Sequence, residues 1–67
     1  MKYKELRRLK DEGISYATIA DWIGITRTAV SASVNKYDPD RDIPKRWDLR
    51  IREKLRMLEA LINGSFS

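Results

Sequence analysis

The sequence predicts an all-α domain of four helices, the last of them long, and three observations carry that expectation. Apolar residues recur at three- and four-residue steps through most of the 67-residue chain, the period of helices with one buried face. Ala20 and Gly24 lie between two such runs; a small residue lets helices approach closely, and a glycine admits the positive φ of a tight bend. After Pro44 one stripe, Trp47, Ile51, Leu55, Leu58 and Ile62, continues at steps of four, four, three and four. A chain of this length buries only about 60% of its unfolded surface, which points to a single domain over 1–67 with a thin stability margin.

Residues 2–12, K-Y-K-E-L-R-R-L-K-D-E, are expected to form the first helix, with Tyr3, Leu6 and Leu9 on one side and Gly13 in the left-handed position that ends helices. Tyr3 reads as a residue at the edge of the core. Ser15 suits the N-cap of the second helix, its hydroxyl within reach of the amide of Ala17 or Thr18, while Ile14 and Ile19 have the spacing of a hydrophobic staple. Ile19, Ala20 and Ile23 then face inward, and Asp21 and Trp22 fall outside. Two readings of Trp22 stand side by side: packing on the C-terminal segment near Phe66, or anchoring a protein–protein contact. Thr26 caps the third helix, which runs to about Asn35, with Ala29, Val30 and Val34 turned inward.

The stretch 15–36, S-Y-A-T-I-A-D-W-I-G-I-T-R-T-A-V-S-A-S-V-N-K, resembles the helix-turn-helix of phage Cro-type and lambda-repressor-like regulators. It has the alanine of that pattern at Ala20, the turn glycine at Gly24, the aliphatic residue at Val30, and flanking aliphatics at Ile19, Ile23 and Ile25. It departs from the pattern at Ser33, where an apolar residue is usual, and Val34 is placed to take that role. The segment I-P-K-R-W at 43–47 is also similar to Cro-type relatives. The resemblance covers about a third of the chain. It implies a four-helix lambda-repressor-like domain, with the helix-turn-helix at about 15–36 and the C-terminal helix at about 44–62. It further implies sequence-specific binding of a double-stranded DNA operator by a small dimeric transcriptional regulator, a phage or prophage repressor working in the bacterial cytoplasm at the nucleoid.

The outer face of the third helix suits that work. Arg27 can pair bidentately with guanine, Thr28 and Ser31 can meet donor or acceptor edges, Ala32 can touch a thymine methyl, and Asn35 can bond adenine or a phosphate. Tyr16, the amide of Ala17, Thr26, Lys36, Arg46 and Arg50 are the candidates for holding the phosphate backbone, with the N-terminal amides near Ser15 favouring an anion. The charge distribution fits. The net charge is +4, yet residues 14–43 carry three cations against four acids, while 1–13 carry five against three and 44–67 six against three. The expected reading unit is nearly neutral and cations flank it.

The loop 36–43, K-Y-D-P-D-R-D-I, has aspartates at 38, 40 and 42. A calcium loop fails on its pattern, because Ile43 stands where glycine is needed and Leu49 where glutamate is. These acids are expected instead to form a turn and to cap the next helix, and either to point away from phosphates or to disfavour wrong sequences. The last helix, 44–62, starts at Pro44 and is expected to stop at Asn63-Gly64; fully helical, it would be about 28 Å long, more than a three-helix core needs. Its first row is therefore expected to close the core while its far end, with Met57 and Leu61, pairs with a second subunit, Trp22 being a further interface candidate. One short reading helix covers a half-site, and a two-fold dimer would span half-sites roughly 34 Å apart. The tail Ser65-Phe66-Ser67 is expected to be mobile.

The composition narrows the alternatives. With no cysteine and no histidine there is no disulfide, no thiolate metal site, no cofactor motif and no nucleophile–base pair, so the chain is read as a non-enzyme. No apolar run reaches the roughly 18 residues of a membrane helix, and no signal-peptide core is present. Two rivals remain: a protein–protein module of the antitoxin or adaptor kind, using Trp22 and the Met57/Leu61 row, and an excisionase-like architectural DNA-binding protein.

Overall fold

The computed structural model describes residues 1–64 and contains four helices in the order α1 (Tyr3–Asp11), α2 (Tyr16–Ile23), α3 (Arg27–Lys36) and α4 (Lys45–Gly64). No strand is present among the described residues beyond a single bridge between Lys2 and Asp42. No helix among them is long and apolar enough to cross a membrane.

Each helix contributes the stripe that its sequence period announces. The core gathers Tyr3, Leu6 and Leu9 from α1, Ile19, Ala20 and Ile23 from α2, Val30 and Val34 from α3, and Trp47 and Ile51 from α4. Tyr3 is fully inside, stacked on Tyr37 at 5.3 Å and edge-on to Trp47 at 6.3 Å, and burial pushes its phenol above the ordinary value, with Tyr37 adding to the rise. No buried side chain among those described is polar or charged. Val34 is buried, Ser33 and Ala29 only half so.

The bend between α2 and α3 follows from two residues. The carbonyl of Ala20 accepts from both the Gly24 amide at 2.8 Å and the Ile25 amide at 2.9 Å. That closure holds Gly24 at φ 89°, ψ 31°, a region in which a Cβ crowds the following carbonyl. A Cβ built there would meet no atom within 4 Å, so backbone strain alone sets the expected effect: Gly24→Ala should lower stability by about 1–2 kcal/mol. The urea midpoint should fall with the slope unchanged; an unshifted midpoint would mean the bend tolerates a side chain. The caps fall where expected. Ser15 Oγ accepts from the Thr18 amide and Thr26 Oγ1 from the Ala29 amide, each at 3.2 Å.

The loop between α3 and α4 departs from expectation. Its aspartates do not cap α4. Asp38 Oδ1 accepts from the Asp40 amide at 2.9 Å, making the anticipated turn. The loop carbonyls of Arg41 and Pro39 take the amides of Tyr3 and Lys4 at 3.1 and 3.0 Å, and the Ile43 amide returns a bond to the Met1 carbonyl at 2.9 Å. The loop therefore caps α1, whose N-cap residue Lys2 offers no side-chain bond. Drawn in by this pairing, Ile43 becomes a core residue. Burial pushes the Asp48 carboxyl up, but hydrogen bonds from the Met1 ammonium, at 3.0 Å, and from Arg52 outweigh it and hold the group below the ordinary carboxylate range.

α4 reaches Gly64, two residues beyond the expected bound at 62 and at the Asn63-Gly64 pair read as its end. Its stripe enters the core only as far as Ile51, with Leu55 half-buried, and Met57, Leu58, Leu61 and Ile62 are exposed. The principal extents of 43 × 22 × 22 Å reflect this projecting helix. Trp22, expected on the outside, is half-buried. Its anticipated neighbour Phe66 and the tail 65–67 lie outside the described residues.

Candidate nucleic-acid interface

α3 packs through Val30 and Val34, and that choice of buried face dictates what the opposite face shows. Arg27, Thr28, Ala32, Asn35 and Lys36 are exposed and Ser31 is half-buried. No other element among the described residues covers Ala32, so the ridge of short side chains stands free along the helix. The N-cap bond from Thr26 fixes the first turn, and with it the direction in which Arg27 and Thr28 leave the backbone.

Beside this ridge runs an open groove of about 910 Å³. One wall is α3, contributing Arg27, Thr28, Ser31, Ala32 and Asn35. The other is the start of α2, through Ser15, Tyr16 and Ala17, together with Arg7, Lys10 and Asp11 of α1. The five residues expected to read bases are thus brought together, and two of the expected backbone contacts, Tyr16 and Ala17, join them. The remaining four, Thr26, Lys36, Arg46 and Arg50, do not line the groove, although all four are exposed. Thr26 is engaged in capping, and Lys36 lies over the Tyr37 ring at 5.5 Å. Arg46 and Arg50 stand on α4, outside the wall formed by α1, α2 and α3.

Arg7 and Lys10 were not among the expected site residues. Each follows a core residue, Leu6 and Leu9, at the same helical offset, so both leave α1 on one flank of the buried stripe. Their cue is this i, i+3 repeat of cations beside the stripe. It acquires meaning only once α1 is docked against α3. The docking is visible in a long bond from Arg7 Nη2 to the Val34 carbonyl at 3.4 Å. Lys10 Nζ lies 4.8 Å from the centre of the Tyr16 ring, a cation–π contact that ties α1 to the start of α2 within this second wall. Arg7, Lys10 and Arg27 against Asp11 leave the groove cationic. The first amides of the eight-residue α2 point their partial positive charge into the same space. Chemically, the site is a shallow cationic trough with a low polar ridge along one side.

No protein-family model, no curated protein and no solved structure matches the chain.

Proposed function

We propose that the chain binds double-stranded DNA sequence-specifically, as a small dimeric transcriptional regulator built on a lambda-repressor-like helix-turn-helix of the Cro type. The observation that carries this reading is the pairing of an exposed ridge of short polar side chains on α3 with a cationic trough beside it. A ten-residue helix is about 15 Å long, and the major groove, roughly 12 Å wide, admits it. A helix seated there has a sugar–phosphate ridge on each side, and the trough between α3 and the α1/α2 wall is shaped to take one of them. In this arrangement Arg27, Thr28, Ser31 and Ala32 meet base edges, with Asn35 at the far end of the ridge. The α2 N-terminal amides, Tyr16, Arg7 and Lys10 hold the backbone. The acidic loop 38–42 takes its place at the N-terminus of α1, away from the trough.

Selection of bound duplexes from a random pool tests the reading; enrichment of a palindrome with half-sites about one helical turn apart is the expected result. Arg7→Ala should then weaken all duplexes alike and lower the slope of log K against log salt by about one unit. A slope that stays put would leave Arg7 a purely structural link between α1 and α3. The exposed apolar end of α4 favours a second reading, a protein–protein module, and salt-insensitive or absent duplex binding in the same selection would select it.

A further inference from the structure

We infer that the last two turns of α4 pair with those of a second copy of the chain in an antiparallel, two-fold contact. The inference extends the DNA-binding reading and rests on it for the purpose of the symmetry, which is to present two reading helices. The first observation is the continuity of one stripe. Trp47 and Ile51 are buried by the chain's own core, Leu55 is half-buried, and Leu58 and Ile62 on the same face are 42% and 64% exposed. Among the described residues the domain body therefore occupies the space over the first half of the stripe and leaves the second half largely exposed.

That placement decides the direction of pairing. A parallel partner would have to lay its own stripe, with its own body on it, into the volume that the first body already fills. An antiparallel partner overlaps only beyond Leu55, with the two bodies at opposite ends of the pair. The depression beside Leu55, rimmed by Met1, Glu5, Arg52, Arg56 and Glu59, then lies opposite Ile62 of the second copy.

Charge points the same way. Residues 45–56 of α4 carry six cations against Asp48 and Glu53, whereas 57–64 carry only Glu59. Parallel helices would set two cationic halves side by side. Antiparallel ones bring Glu59 of each copy toward Arg56 of the other, and Arg56, unlike Arg52, is not engaged with Asp48. The seam is short, about 12 Å of helix, far below the roughly 800 Å² per partner of a standard interface. The pair is accordingly weak in free solution and forms readily when two copies are held on adjacent half-sites, where the effective concentration is high.

Sedimentation of the full chain without DNA, from ~10 μM to ~1 mM, tests the pairing. Wild type should pass from monomer to dimer in the upper part of that range. Leu58→Asp combined with Ile62→Asp should remain monomeric with its urea midpoint, read at low concentration, unchanged. Glu59→Lys alone and Arg56→Glu alone should each associate less, and an equimolar mixture of those two variants should recover association, because each cross-pair is again opposite in sign. Wild type that stays monomeric throughout, aspartate variants that still dimerise, or a mixture no better than its components would each overturn the inference. Binding to a single half-site duplex separates the two failures: wild type that binds it yet never dimerises sinks the pairing alone, and wild type that dimerises yet binds no duplex sinks the DNA reading alone.

Discussion

Ile51→Ala should cost about 2–5 kcal/mol, because the side chain is fully enclosed and its removal leaves a cavity that the surrounding helices only partly fill. A domain of this size has roughly 3–10 kcal/mol in total, so a large fraction of the variant should be unfolded at 25 °C or within a few degrees above it. The effect is large because Ile51 is the last fully buried residue of α4 and holds that helix to α2 and the rest of the core. Ile62→Ala, the same change on the same stripe, provides the contrast. Ile62 is mostly exposed in the single chain, so at concentrations where the chain is monomeric its truncation should shift the urea midpoint by less than about 0.5 kcal/mol. Thermal and urea unfolding of the two variants, followed by circular dichroism, measure the difference. Equal losses would mean that the far end of α4 is covered by its own chain.

The same contrast explains which parts of the molecule could be read from the sequence. Periodicity states that a helix has an apolar face. It does not state what lies against that face. So Trp47, Ile51, Leu55, Leu58 and Ile62 announced one long helix, and only the folded body divides the row into a core half and a bare half. Ala20 and Gly24 were legible for a different reason: a bend with positive φ accepts few residue types, and a glycine four after an alanine between two apolar runs meets the requirement directly. Ser15 and Thr26 were legible as caps because their hydroxyls satisfy amides of their own helix, a local matter.

Ile43 was not legible. A single isoleucine after D-P-D-R-D has no period to place it, and its burial follows from backbone bonds between the loop and residues 1–4. Carbonyls at Pro39 and Arg41 leave no trace in residue type, so the capping of α1 by a distant loop has no sequence cue. At the candidate interface, the ridge on α3 could be derived from one helix considered alone. Arg7 and Lys10 required the packing of α1 beside α3, a tertiary fact, and that is why the α1 part of the second wall was missed.

Arg27 is the residue of the trough whose loss should change what is recognised rather than how tightly. It is the first residue of α3, directly after the Thr26 cap, and its guanidinium is exposed on the wall that also holds Thr28 and Ser31. A long planar fork leaving the N-terminus of a helix seated in the major groove reaches the edge of a guanine, where O6 and N7 accept two parallel N–H bonds. Arg27→Ala should therefore weaken binding to the preferred palindrome by about 1–3 kcal/mol per half-site, and a substitution at the contacted base pair should then cost the variant almost nothing further. Arg27→Lys should recover charge but not selectivity, because an ammonium cannot supply the bidentate fork. The check is a matrix of single-base-pair operator variants titrated against wild type, Arg27→Ala and Arg27→Lys at fixed salt. Loss confined to one position in each half-site establishes Arg27 as a base reader. A uniform loss across the matrix, accompanied by a salt slope lower by about one, would instead make Arg27 a third phosphate ligand beside Arg7 and Lys10. Thr28 and Ser31 would then carry the discrimination.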